Sequence, residues 1–384
     1  MKVIILAGVA PSTIFSHAPL ANALRDAGHQ VMVSASVEDV LGRIVEVGLP
    51  ALRVTDPNRS LREILATDER LLQVPERPVD RERQTGRWYA KFESETLPAL
   101  LAFAHDWRPD VVIGGDASYA APLLARHLGI PWVRHGWDIH DPLLMDEGAT
   151  EQLAGQLAEL GLAGLPEPDM LIDITPPSLR VREVAAVQAM RWIPGNSQCV
   201  LEPWMYTKGA DTRVGVTIGT GVGTYHQHDF LYDIVEHVST LDAEVVVPVT
   251  EDAAPVLRER AANIRAGWIP MDVLAPTCDV LVHQTGGSTM MTALCFGVPQ
   301  VLIPDPGQHR ANTIARRVAD AGAGIVLSPE EARSDVIAKN CQEIITNPAY
   351  AAAAAALAKE IAAQPLPSEV ARRVELLVQG ARRD

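Results

Sequence analysis

One five-residue grammar occurs twice in this chain, as His127-Leu128-Gly129-Ile130-Pro131 and as Cys295-Phe296-Gly297-Val298-Pro299. Each time a helix-like run ends in a glycine stop, and a proline then leads into an apolar strand. Around both copies, strand-like runs alternate with helix-like ones. That alternation implies α/β architecture, a parallel sheet covered by helices on both faces. The repetition suits two Rossmann-like halves better than one large sheet. A length of 384 residues, beyond the size at which a single core usually stops growing, points the same way.

In the first half, residues 3–7 read as an apolar strand. A helix is expected over 17–27, with Ser16 as N-cap and Gly28 as stop, then a strand over 31–35 and a helix through Ile44 to Gly48. Thr55-Asp56-Pro57-Asn58 opens a charged stretch, lasting to about Arg87, whose lack of periodicity predicts a loop carrying a short helix. Helices over 92–106 and 119–128 and strands over 110–114 and 131–134 follow. The turn-rich segment 191–213 is the expected linker, and a second series opens with a strand over 214–218. The domains are thus placed at 1–200 and 201–365. A tail at 366–384, holding an amphipathic helix over 368–380, is expected to return to the first domain.

The net charge of −15 leaves no clustered Lys and Arg for nucleic acid or an anionic membrane. No apolar run reaches the roughly 20 residues of a membrane span, and the run at 3–7 is too short for a signal peptide. Cys199, Cys278, Cys295 and Cys341 lack metal or redox spacing and fit free thiols in a reducing cytoplasm.

The most informative segment is 279–312. Asp279-Val280-Leu281-Val282-His283 is a strand, Gln284-Thr285-Gly286-Gly287-Ser288-Thr289 a turn, and 290–296 a helix stopped by Gly297. Paired glycines let backbone N–H groups approach an anion, and the free N–H groups at a helix start favour a pyrophosphate. His283, at the strand's carboxyl end, can add a hydrogen bond. The same glycines also suit a plain strand–turn–helix. A second cluster, Gly219-Thr220-Gly221-Val222-Gly223, imitates a dinucleotide fingerprint without a well-placed acidic partner, and serves equally as a turn or as a phosphate contact through Thr220.

The run His283-Gln-Thr-Gly-Gly-Ser-Thr, followed by Gly297-Val-Pro-Gln and Ile303-Pro304, resembles the donor signature of inverting GT-B glycosyltransferases, in the branch that decorates macrolide and polyketide antibiotics. Pro19-Leu-Ala, Leu24-Arg-Asp-Ala-Gly-His29, Pro194-Gly195 and Pro203-Trp204 match the same family. The resemblance implies a GT-B fold, with two Rossmann-like domains facing each other across a cleft. It also implies a dTDP-sugar donor in the C-terminal domain. Trp268, Ile269 and Pro270, with Val273 in the same stretch, would border the base. His283, Gly286, Gly287, Ser288, Thr289 and Thr220 would hold the diphosphate. Beyond the donor substrate no cofactor is implied, and with no Asp-x-Asp pair the transfer is expected to need no metal. The expected partners are a nucleotide sugar and an aromatic small molecule, bound by a monomer or homodimer.

Two departures from the family refine this. Its members usually carry a catalytic histidine six residues before the proline of Pro-Leu-Ala, where this chain has Thr13, preceded by Ser12. Without that base an aliphatic alcohol is hard to activate, whereas a phenol, with a pKa of about 10, can be deprotonated by a carboxylate. Phenolate charge spreads onto ring carbons, so carbon can attack. Candidate bases are Asp138 and Asp116, each of which could also be a turn or capping aspartate. Ser12, Thr13, His17, Trp88 and Trp137 are the candidate acceptor-binding residues, with His17 a further possible base. Gln308 and His309 stand where the family's sugar-binding Asp–Gln pair is expected, which fits a donor with fewer hydroxyls. The expected reaction is transfer of a deoxysugar to an aromatic polyketide through a C-glycosidic bond. The alternatives are O-glycosyl transfer, a Rossmann oxidoreductase, an epimerase of the same fold, or a non-catalytic partner of another transferase.

Overall fold

The structure, a computed structural model, describes residues 1–56, 60–139, 141–181, 187–219 and 226–382. It divides into two compact units. The first comprises Met1–Ile174, Val181–Arg191 and Gln364–Asp384; the second comprises Thr175–Arg180 and Trp192–Ala363. The division falls at 191–192, ahead of position 200, and the segment 175–180 joins the second unit. The helix Pro367–Ala381 packs on the helix Thr13–Asp26 within the first unit.

The first unit's sheet contains β1 (Lys2–Leu6), β2 (Gln30–Ala35), β3 (Ala51–Arg53), β4 (Val111–Gly115), β5 (Trp132–His135), β6 (Met170–Asp173) and β7 (Val187–Ala189). Its order is β3-β2-β1-β4-β5-β6-β7. The second unit contains β8 (Arg213–Thr217), β9 (Glu244–Pro248), β10 (Ile264–Gly267), β11 (Val280–His283), β12 (Gln300–Leu302) and β13 (Gly324–Val326), in the order β10-β9-β8-β11-β12-β13. Each described pairing is parallel, so β1 lies between β2 and β4, and β8 between β9 and β11. Strands covered on both faces need apolar residues at every position rather than every second one. Accordingly Val3, Ile4 and Ile5 are all 0% exposed, as are Val280, Leu281 and Val282.

Both orders reverse direction once, between β1 and β4 and between β8 and β11. In open α/β sheets that reversal opens a crevice at the strands' carboxyl ends, because the helices flanking the two strands lie on opposite faces. The topology alone therefore nominates two places: the ends of β1 and β4, and the ends of β8 and β11.

The charged stretch after β3 differs from the expected loop. It holds the helix Leu61–Leu65, closed by a capping box between Ser60 and Glu63, and the next long helix already starts at Pro78 and runs to Trp107, rather than starting near 92. Its early turns escaped apolar periodicity because their buried positions are Glu82, Gln84 and Gly86. Gly86 is needed for close approach: a Cβ there would lie 1.9 Å from the Met145 carbonyl oxygen, and one at Gly148 would lie 1.9 Å from that of Arg83. This helix and Leu143–Gln152 thus touch backbone to backbone. Among the described residues, no helix is long and apolar enough to cross a membrane.

Candidate functional site

In the second unit, β11 ends at His283 beside Thr217 of β8 and Leu302 of β12. The loop that follows turns on Thr285, which has φ 63, a left-handed conformation that a β-branched residue adopts only under constraint. The Thr285 N–H donates to His283 Nδ1 at 3.1 Å, and His283 Nε2 pairs with Gln300 Oε1 at 2.7 Å. Gln284 donates from its side-chain amide to the Ile218 carbonyl, tying the loop to the segment after β8. The helix Gly287–Cys295 then begins with Gly286 as N-cap and no side-chain cap. Its first-turn N–H groups lack intrahelical partners by construction. Gly286, Gly287, Ser288 and Thr289 are half-buried, so this helix start is open to a ligand, and it sits at the crevice that the topology nominates.

His283 does not face that opening as a donor. Both its nitrogens are engaged inside the protein, and burial lowers its pKa to about 4, so it is a neutral prop for the loop. Ile269 is 3% exposed and belongs to a buried cluster with Leu274, Leu281 and Ala293, so its side chain is part of the core. Val273 packs against the same cluster. Trp268 is half-buried just after β10, its N–H accepted by Glu251 at 3.2 Å and its indole N–H by the Ser197 carbonyl at 3.2 Å. Pro270 caps the short helix Met271–Leu274. Gln308 is exposed at the N-cap of the helix His309–Asp320, and His309 is half-buried at that helix's first position. Thr220 lies outside the described residues, as do Gly221, Val222 and Gly223.

In the first unit, the ends of β1, β4 and β5 gather a polar cluster. The helix Thr13–Asp26 starts four residues earlier than 17, with Ser12 exposed at its N-cap. Ser16 is therefore inside the helix, where its hydroxyl donates to the Thr13 carbonyl at 2.7 Å. The Thr13 hydroxyl is turned back onto the Ala7 and Ala10 carbonyls and is only 5% exposed, so it does not replace the family's histidine. His17 lies one turn further on. It is 1% exposed and its Nδ1–H donates to the Thr13 carbonyl at 2.7 Å. Its ring packs against that of His135, with centroids 4.8 Å apart, and His135 in turn donates from Nδ1 to the Gly136 carbonyl at 2.6 Å. Among the described residues, neither Nε2 atom has a partner. Burial lowers the pKa of His17 to about 4; burial, then the neighbouring His17, lowers that of His135 to about 3. Gly115 makes room for the pair, since a Cβ there would sit 3.1 Å from His17 Cε1.

Asp116, 4% exposed, follows β4 directly. Its carboxylate lies 3.6 Å from Arg134 Nε and accepts the Trp137 N–H at 3.4 Å. Arg134 forks onto Asp146 at 2.7 and 2.8 Å, and Tyr119 donates to Asp146 at 3.1 Å. Asp138, 5% exposed, stands three residues past the end of β5. Trp137 packs 6.3 Å from Tyr89. Trp88, by contrast, donates its indole N–H to the Leu71 carbonyl at 2.6 Å and pins the 69–72 turn, so its neighbour Tyr89 takes the aromatic place beside Trp137. Sequence reasoning also missed Glu93. It is 1% exposed, accepts the Ser36 hydroxyl, and is pushed by burial up to about 7.

The family model for the erythromycin biosynthesis protein CIII-like N-terminal domain matches residues 22–219, and that for the C-terminal domain matches 232–377. The L-demethylnoviosyl transferase of Streptomyces niveus is 33% identical over 361 residues, 93% of each chain. The aclacinomycin-T 2-deoxy-L-fucose transferase of Streptomyces galilaeus is 27% identical over 435 residues, covering 100% of this chain and 98% of that one. The crystal structure of the glycosyltransferase SsfS6 of Streptomyces sp. SF2575, complexed with thymidine diphosphate, superposes with a TM-score of 0.85 at 30% identity, covering 98% of this chain and 99% of that one.

Proposed function

The chain belongs to the erythromycin biosynthesis protein CIII-like family of antibiotic-decorating glycosyltransferases, with the paired Rossmann-like units of the GT-B fold, and from that premise we propose that it moves a deoxysugar from a dTDP-sugar to an aromatic polyketide, forming a C-glycosidic bond. The carrying observation is the uncapped, half-buried start of the helix Gly287–Cys295 at the β8/β11 reversal. Its N–H groups and positive dipole end suit two phosphates. The relative named for 2-deoxy-L-fucose transfer and the neighbour complexed with thymidine diphosphate support the donor class. Thr13 in the place of the family's usual histidine supports carbon attack.

The acceptor phenol loses its proton to a carboxylate, and a ring carbon ortho or para to the oxygen attacks the anomeric carbon opposite the diphosphate. The bond from that carbon to phosphate oxygen breaks with inversion, and the diphosphate leaves with the electron pair. The ring proton passes to the departing diphosphate, which restores aromaticity as a phenolate, and the protonated carboxylate returns its proton to that oxygen. The helix start at Ser288 and Thr289 stabilises the departing charge without a metal ion. Asp138 and Asp116, both buried past the carboxyl ends of β5 and β4, are the candidate bases.

O-Glycosyl transfer is the second reading, favoured by one feature. His17 is a neutral imidazole one turn from Thr13, and among the described residues its Nε2 lone pair has no donor. The test is incubation with a dTDP-2,6-dideoxyhexose and a phenolic polyketide, followed by acid. A C-glycoside survives acid, whereas an O-glycoside of a deoxysugar releases its sugar. Absence of any sugar transfer across a panel of such pairs would overturn the proposal.

A further inference from the structure

Gln300 is the first residue of β12 and is 0% exposed. It lies too deep to reach a ligand, yet its side chain spans to the last residue of β11, where Oε1 meets His283 Nε2 at 2.7 Å. The proton positions in this pair follow from a fixed donor. The Thr285 backbone N–H points at His283 Nδ1 from 3.1 Å, and a backbone N–H can only donate. Nδ1 must therefore hold a lone pair, the ring proton must sit on Nε2, and Gln300 must present its oxygen rather than its amide nitrogen. Among the described residues, the Gln300 amide nitrogen has no partner, so the bond to His283 is what orients the amide.

This small relay ends at a strained residue. Thr285 is 3% exposed with φ 63, and its hydroxyl has no partner among the described residues. Nothing in its own side chain repays the left-handed conformation, so its N–H bond to His283 must hold it. The next residue, Gly286, is the N-cap of the helix whose first-turn N–H groups stand at the crevice. If His283 adopted the other tautomer, Nδ1–H would confront the Thr285 N–H, and the turn that aims the helix start would lose its anchor.

We propose that Gln300 is a positioning residue for the phosphate site: through His283 it fixes the hydrogen bond that holds Thr285 left-handed and so aims the first-turn N–H groups of Gly287–Cys295 at a nucleoside diphosphate. The inference rests on the diphosphate reading of that helix start. The role is specific, because the relay touches the phosphate end of the site and not the residues around Trp268. Burial of His283 assists by keeping it singly protonated at neutral pH.

The test is calorimetric titration of thymidine diphosphate and of thymidine into the full-length protein and its Gln300→Leu and Gln300→Glu variants at pH 8. Leu cannot accept the Nε2 proton, whereas Glu can. Gln300→Leu should weaken thymidine diphosphate by about tenfold or more while leaving thymidine within about twofold, since small displacements of aligned groups carry penalties of that order. Gln300→Glu should restore most of the loss. Equal weakening of both ligands, or no weakening, would overturn the positioning role. Wild-type protein that binds thymidine as tightly as thymidine diphosphate would instead overturn the site reading, and with it this inference. Should Gln300→Leu not fold, histidine 15N NMR of the wild type decides: a proton on His283 Nδ1 contradicts the relay, and a proton on Nε2 is the expected result.

Discussion

Between pH 6 and 5 this protein should lose stability steeply, and replacing Glu93 by Gln should steepen the loss. His17, His135 and His283 are buried and neutral, with pKa values lowered to about 4, 3 and 4 from the ordinary 6.5. As the pH falls below 6.5, the unfolded chain takes up protons at these rings while the native state does not. Each histidine then removes about 1.4 kcal/mol of stability per pH unit until its native pKa is reached. Glu93 works in the opposite direction. Its carboxyl is raised to about 7 from 4.5, so between those values the native state holds a proton that the unfolded chain releases. It therefore adds about 1.4 kcal/mol per unit as the pH falls through the same window. Three histidines less one carboxyl leave a net uptake of two protons on unfolding, a limiting slope of about 2.7 kcal/mol per pH unit. Glu93→Gln removes the opposing term, and the slope becomes about 4.1 kcal/mol per unit. Urea unfolding of both proteins at half-unit steps across this range gives the slopes, and other titrating groups cancel in the comparison. Glu93, His17 and His135 all belong to the first unit and His283 to the second, so in a transition that reports the first unit alone both slopes fall by about 1.4 kcal/mol and their difference is unchanged. Identical slopes would refute native protonation of Glu93. Flat profiles for both proteins would refute the buried neutral histidines.

Asp138→Asn and Asp116→Asn combined should lower product formation by about a hundredfold or more, with thymidine diphosphate affinity unchanged; a double variant turning over at the wild-type rate would point to a different base. Gly86→Ala should destabilise the first unit by about 1–3 kcal/mol or more in thermal unfolding, because the new methyl meets the Met145 carbonyl and the two helices must part. Thr285→Gly should relieve about 1–2 kcal/mol of left-handed strain, less about 0.5–1 kcal/mol of added chain entropy, so the melting temperature should rise slightly while thymidine diphosphate binds more weakly to the looser turn. Exhaustive chelator treatment should leave transfer undiminished, which an activity assay before and after dialysis checks.

What the sequence disclosed follows from how local each feature is. The strand, turn and helix of 280–295 are contiguous, and the paired glycines, Ser288 and Thr289 mark the helix start by themselves, so the strand–turn–helix proposed for phosphate was legible in the sequence. The stretch 268–273, expected to border the base, was only half legible: it stood out as a unit, but which side chains face inward depends on packing, and Ile269 belongs to the buried cluster. The pairs that shape the sites were hidden because each joins distant segments through the sheet order. Gln300 meets His283 because β12 lies beside β11, and Arg134 meets Asp116 because β5 lies beside β4. No spacing rule encodes those neighbours. The long helix illustrates a different loss. With its start misread by more than a turn, its phase was unknown, and one residue of rotation, about 100°, separates Tyr89 beside Trp137 from Trp88 under the 69–72 turn.

The same logic bears on the missing histidine. With the first helix expected at 17, Thr13 and His17 belonged to different structures, a loop and a helix start. Because the helix begins at Thr13, the two residues stand one above the other, and the His17 Nδ1–H closes onto the Thr13 carbonyl. That bond commits Nδ1 and leaves Nε2 as a pure acceptor. His135 reaches the same state through the Gly136 carbonyl, and its ring lies against His17. Two neighbouring lone pairs without donors are costly to bury unless something supplies a hydrogen bond. Neither ring is exposed, so the unmet lone pairs weigh on the stability of the first unit. His17→Leu should therefore cost less stability in thermal unfolding than loss of the Thr13 hydrogen bond alone would suggest, about 1 kcal/mol or less; a loss of several kcal/mol would show that the imidazole pair is satisfied in the native state.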